Sequence, residues 1–139
     1  MNSTLHDEAK AEDSIAGVLA IANAAKALGT EIIVTNPSPI RRGGPEDKDD
    51  AQLQIEAEAL NPLGTKLLDQ GMTLAYHNHN AELRQGGRQF HHMLTDTKPK
   101  NVKFYLHAHW VFRSCGNSQV ALFDALEHYG SRILELHLR

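Results

Sequence analysis

Three histidines, His77, His107 and His137, stand thirty residues apart, each near the end of a run that reads as a β-strand. Imidazole is the commonest metal-binding side chain and exchanges protons in the physiological range, so its return at a fixed interval points to a metal centre or to proton transfer. Thirty residues is about the length of one strand, one helix and two loops, the repeat of a parallel βαβ unit. The interval therefore brings the same ring back to the same rim of a sheet three times, at one mouth of an α/β barrel.

The elements that must hold these rings follow from the surrounding pattern. In 14–28, Ile15, Val18, Leu19, Ala22, Ala25 and Leu28 repeat at helical spacing, with Ser14 as the expected N-cap and Gly29 as the stop. The tract 31–35 (EIIVT) is a short β-branched run ended by Asn36 and Pro37, which predicts a strand buried on both faces. Residues 36–50 gather three of the five prolines with Gly43, Gly44 and a cluster of charges. They read as a long loop, of the kind that belongs to the active face of a barrel. A second helix spans 50–70 through Leu53, Ile55, Leu60, Leu63, Leu67 and Leu68. Pro62 lies inside it, and an interior proline costs about 3 kcal/mol, which predicts a kink or two shorter helices. Strands at 72–77, 102–107 and 132–138 then alternate with helices at 89–95 and 119–129, the order of a parallel sheet covered by helices.

Strand side chains alternate between faces, so each of the last three strands divides into two sets. Met72, Leu74 and Tyr76 oppose Thr73, Ala75, His77 and His79; Val102, Phe104, Leu106 and Ala108 oppose Lys103, Tyr105, His107 and His109; Leu134, Leu136 and Leu138 oppose Ile133, Glu135 and His137. The apolar sets suit the layer beneath the helices. The other sets turn polar toward their C-terminal ends, where parallel sheets bind ligands, and buried imidazoles there need a partner.

The totals bound the class. The chain has 139 residues, is 41% hydrophobic and carries a net charge of -3, which predicts neither a nucleic-acid nor a membrane partner. The single cysteine, Cys115, cannot form an internal disulfide, and no apolar run approaches the roughly 18 residues of a membrane span. A reducing, cytoplasmic location is the default expectation. An eight-fold βα barrel needs about 200 to 250 residues, so the expected fold is α/β, a partial (β/α) TIM-type barrel with roughly four of eight parallel strands, filling 1–139 as one domain.

The segments GMTLAYHNHNAEL (71–83), VKFYLHAHW (102–110) and RILELHLR (132–139) together resemble the sugar phosphate isomerase/epimerase family with its xylose-isomerase-like barrel. The resemblance implies a divalent metal, manganese, zinc or magnesium, held by carboxylates and histidine at successive strand ends. It also implies a sugar or keto-sugar substrate and proton transfer between neighbouring carbons through an enediolate. Carried over by position, His77, Glu82, His107 and His137 are the implied metal residues, Glu82 and His77 the catalytic ones, and His79, His109 and Trp110 the substrate wall. His107 departs from the pattern, because relatives have aspartate there. An all-imidazole set favours zinc or manganese over magnesium, or else marks lost activity. The family's first and last strands have no counterpart, so the chain is expected to be a piece of a longer product, and a piece with open sheet edges is expected to associate with itself or another chain.

Plainer readings stand beside these. The histidines also fit a role as hydrogen-bonded rim residues, Arg41 and Arg42 a charged loop tip, His91 and His92 a solvated helix face, and Cys115 an inert thiol. Glu135 reads as a support for His137 or as an ordinary interior carboxylate. Three rival functions remain: a keto-sugar dehydratase or hydratase using the same enolate chemistry, a zinc-dependent DNA-repair nuclease of the same barrel type, and a catalytically silent binding module. Scattered rather than clustered basic residues argue against the nuclease.

Overall fold

The computed structural model describes residues 2–138. Its strands are β1 (Asn2–Ser3), β2 (Ile32–Pro37), β3 (Thr73–His77), β4 (Val102–His107) and β5 (Ile133–His137). They form one sheet in the order β1-β2-β3-β4-β5, and every neighbouring pair is parallel. Sequential order with no reversal is the winding of a barrel wall; a doubly wound sheet would switch direction partway. The helices are α1 (Glu8–Lys26), α2 (Asp50–Asp69), α3 (Arg84–Asp96), α4 (Ala108–Ser114) and α5 (Gln119–Tyr129). The architecture is the expected one, four full parallel strands with covering helices, plus the two-residue β1 that the sequence pattern does not reveal.

Local differences from expectation have local causes. Helix α1 begins at Glu8, not at residue 14, because the Asp7 side chain accepts the Ala9 N–H at 3.1 Å and caps it. Ser14 instead donates its hydroxyl to the Thr4 carbonyl at 3.1 Å. Pro62 does not split α2, which runs unbroken for 20 residues from a reciprocal Asp49–Gln52 capping box. Pro62 and Glu58, whose carbonyl loses its partner, are both exposed, so the freed carbonyl is on the solvent side. Strand β2 is buried at alternate positions only, not on both faces. In β5 the register skips Leu134, pairing Phe104 with Ile133 and Tyr105 with Glu135. This bulge turns Ile133 to the helix side, where it packs against the core, while Leu136 and His137 keep the expected faces opposite Leu106 and His107; Leu134, Leu136 and Leu138 are exposed.

The core lies between sheet and helices. Leu53, Leu60, Leu63 and Leu67 of α2 and Phe90 and Met93 of α3 cover Leu74, Tyr76, Phe104 and Leu106. Phe90 meets Phe104 edge to face at 5.2 Å. Gly64 lets α2 approach the turn before β4, since an added Cβ would sit 2.1 Å from the Asn101 carbonyl oxygen.

Among the described residues, one ion pair is fully enclosed. Lys48, at the end of the loop 38–49, donates to Glu56 of α2, and both side chains are buried. Gln89 donates to the other Glu56 oxygen at 3.3 Å, and the His6 ring lies 3.8 Å from the carboxylate. Burial pushes the Glu56 carboxyl up, with the Lys48 ammonium opposing it. Removing one member strands the other charge, whereas removing both does not. Glu56→Ala is expected to lower stability by about 3–5 kcal/mol, and the Lys48→Met/Glu56→Leu pair to recover most of that loss. Urea unfolding of the two variants measures it, and equal losses would contradict the account.

Candidate metal centre

Strands β3, β4 and β5 end on one rim, and their register sets the imidazoles. His107 lies opposite His137, while His77 lies opposite Tyr105, two residues short of His107. Two residues along a strand return to the same face, so His77 and His107 meet diagonally. The His107 and His137 ring centres are 3.9 Å apart, His77 and His107 5.2 Å, and His77 and His137 5.5 Å. One nitrogen from each ring lies within 4.8 Å of the others, and His77 and His107 are buried. The Tyr105 ring lies alongside, 4.6 Å from His77 and 5.9 Å from His137.

Hydrogen bonding leaves the nitrogens a cation would need. His77 Nδ1 lies 2.9 Å from the Tyr105 carbonyl and donates to it, because a carbonyl only accepts; its Nε2 therefore keeps a lone pair. The Nδ1 atoms of His107 and His137 are enclosed and have no hydrogen-bond partner. Burial lowers His77 and His107 to about 4, with the Tyr105 carbonyl opposing the shift in His77 and the neighbouring imidazoles adding to it in His107. Neutral rings with unused lone pairs are the form in which histidine binds a metal. By donor chemistry the three residues fit a divalent transition ion.

Asn78 fixes the end of β4 and is a site residue the sequence reading missed. Its Oδ1 accepts the His107 N–H at 2.9 Å, and its amide donates to the His107 carbonyl at 3.4 Å. Its only signal in sequence is its place between His77 and His79, on the opposite side of the strand. The chain after His107 turns at once into α4, so His109 and Trp110 sit on a helix and not on an extended strand as the alternation predicted. Both still border the site, their ring centres 6.1 and 6.0 Å from His107.

Glu82 lies outside the imidazole cluster. It is buried, and its Oε2 accepts the His79 N–H at 2.6 Å. With His79, Asn36, Pro37, Pro39, Arg42 and Ala81 it lines a cavity of about 330 Å³. The His79 ring is edge-on to His77 at 4.7 Å, so the cavity abuts the cluster. A second cavity of about 240 Å³ shares Pro39, His79 and Ala81 and adds Trp110. Glu135 is exposed and gives His137 no hydrogen bond.

The loop 38–49 that roofs the cavities is clamped from α3. Arg84 donates to Asp47 at 2.6 Å and to the carbonyls of Gly44 and Glu46 at 3.0 Å, Gln85 donates to Asp47 at 2.8 Å, and Arg88 donates to the Lys48 carbonyl at 2.6 Å. Gln85, Gly86 and Gly87 all have positive φ, which offsets the helix proper to Arg88 and leaves the Gln85 side chain on the loop.

The rings set a pH dependence. Between their ordinary value of 6.5 and about 4, His77 and His107 are protonated in the unfolded chain and neutral in the folded one, so unfolding takes up protons and acid favours it. Stability is full above pH 6.5 and falls toward pH 4, with a slope of up to about 1.4 kcal/mol per pH unit for each ring. Urea midpoints of metal-free protein against pH measure this, and His77→Gln/His107→Asn is expected to make the fall shallower, leaving the part due to His6, which burial also lowers to about 4.

A family model described as "Xylose isomerase-like TIM barrel" matches residues 1–139. Two solved structures from Parabacteroides distasonis, both named as a sugar phosphate isomerase/epimerase, are similar in fold. One aligns with a TM-score of 0.68 at 21% identity over 84% of this chain and 41% of its own. The other aligns with a TM-score of 0.71 at 20% identity over 92% of this chain and 46% of its own. The chain thus spans less than half the length of either. Among curated proteins, none matches.

Proposed function

Because this chain belongs to the xylose isomerase-like TIM barrel family, we propose that it forms part of a metal-dependent sugar isomerase or epimerase that moves a proton alpha to a carbonyl. The observation that carries this reading is the convergence of three imidazole nitrogens within 4.8 Å beside a cavity that Glu82 lines.

His77, through Nε2, and His107 and His137, through their partnerless Nδ1 atoms, would hold the ion. Such an all-nitrogen set suits zinc or manganese better than magnesium. When bound, the ion polarises a substrate carbonyl. Tyr105 orients His77 through its carbonyl, and Asn78 holds the His107 backbone, so both rings are positioned before any ligand arrives. Glu82 is the proposed base. One of its oxygens is fixed by the His79 amide, which aims the carboxylate into the cavity where the proton of the substrate carbon would lie. His79, which lines both cavities, and Trp110, which lines the second, would wall the sugar off from bulk water.

Cobalt(II) is the probe for the metal, since its visible absorption reports nitrogen ligation. The expected result is one equivalent bound, with affinity reduced at least about tenfold by His107→Ala. Exchange of ketose hydrogen for solvent deuterium, followed by NMR, is expected to fall by about 10² to 10⁴ in Glu82→Gln with cobalt binding unchanged. A wild-type chain with no cobalt spectrum, or a Glu82→Gln variant that exchanges at the wild-type rate, would overturn the proposal.

A further inference from the structure

The cavity beside the imidazoles carries information about the substrate that the metal ligands do not. Among the described arginines, Arg41 pairs with Glu46, Arg84 with Asp47 and Arg88 with Asp50, while Arg113 donates to Asn117 and Arg132 to backbone carbonyls. Arg42 alone has no hydrogen bond or ion pair, and it lines the cavity. The loop that bears it is held by Arg84, Gln85 and Arg88, so the guanidinium is presented from a fixed base. Asn36 lines the same cavity, and its Oδ1 is buried without a hydrogen-bond partner. A buried acceptor of this kind lacks a donor such as a hydroxyl.

From these placements we infer that the cavity is the subsite for the anionic end of a sugar acid, an open-chain carbohydrate bearing a carboxylate. The inference rests on the proposed isomerase reading and adds the class of substrate. A single planar guanidinium matches a planar carboxylate through paired N–H···O bonds. A phosphate dianion calls for more positive charge, and here Glu82 supplies a carboxylate to the same lining while the neighbouring arginines are already neutralised. The volume of about 330 Å³ lies within the range of small-ligand pockets, about 300–1,000 Å³. Arg42 would hold the carboxylate, Asn36 would accept a hydroxyl, and the carbonyl end would extend past His79 to the imidazoles.

Calorimetric titration of the whole chain with D-glucuronate, D-glucose and D-glucose 6-phosphate tests this. Glucuronate is expected to bind about ten- to a hundredfold tighter than glucose, the range of a charge-assisted pair. Arg42→Gln is expected to bring the two sugars within about twofold of each other while leaving the cobalt spectrum and the thermal midpoint unchanged, since Arg42 is exposed. Equal binding of glucuronate and glucose to the wild type, or a preference that survives Arg42→Gln, would overturn the inference. Tighter binding of the 6-phosphate than of glucuronate would overturn the choice of carboxylate. A blank cobalt titration with the Arg42-dependent preference intact would support this subsite and sink the metal reading alone.

Discussion

The site depends on the stagger between adjacent parallel strands. Between β3 and β4 the register sets His77 opposite Tyr105, and between β4 and β5 it sets His107 opposite His137. A slip of one residue in either ladder would turn a ring to the helix side of the sheet. The backbone alone does not enforce that stagger. Asn78 grips both polar groups of the His107 peptide, and Tyr105 offers its carbonyl to His77, so the strand ends are locked by contacts made across the ladder they align. The geometry of the cluster and the pairing of the strands are therefore one constraint.

A second layer of polar contacts shapes the roof. The loop 38–49 is rich in proline, glycine and charge, a composition that does not pack by itself. It is ordered from outside, by Arg84, Gln85 and Arg88 above and by the Lys48 side chain driven into the core against Glu56. Burying that pair is a poor way to gain stability, because desolvation of both groups offsets most of their attraction. What it secures is position. The loop ends at a fixed depth beside α2, and Arg42 and Pro39 inherit that placement.

The parts of the fold governed by local patterning were legible. Strand β4 and helix α5 occupy the segments 102–107 and 119–129 that alternation and helical spacing mark out. The imidazole cluster was legible too, because a repeat of fixed length in a parallel sheet is a statement about space. What failed was set by contacts distant in sequence. The polarity of Ala108, His109 and Trp110 continues the strand alternation, yet the strand stops at His107, where Asn78 seizes the peptide from 29 residues away. A bulge at Leu134 turns Ile133 to the helix side, away from the face it would share with Glu135 and His137, and nothing in the alternation announces it. Glu56 stands at helical spacing from Leu53 and Leu60, on the apolar face, but nothing local to it names Lys48, from the loop, as the partner that satisfies a carboxylate there. Arg42 resembles its neighbour Arg41 in sequence, and only the pairing of Arg41 with Glu46 separates them.

Among the described residues the sheet has no hairpin. Ile32 waits for Thr73, Leu74 for Val102, and Phe104 for Ile133, so each ladder closes only after a whole helix has been threaded between its strands. Contacts so far apart form slowly, because loop-closure entropy must be spent before any of them rewards it. For a chain emerging from a ribosome, β2 has only the two-residue β1 beside it until roughly forty more residues have been added, with Ile33 and the surfaces that will cover it open to the surroundings. Translation rate and the availability of chaperones thus bear on the yield of this protein as well as its final free energy.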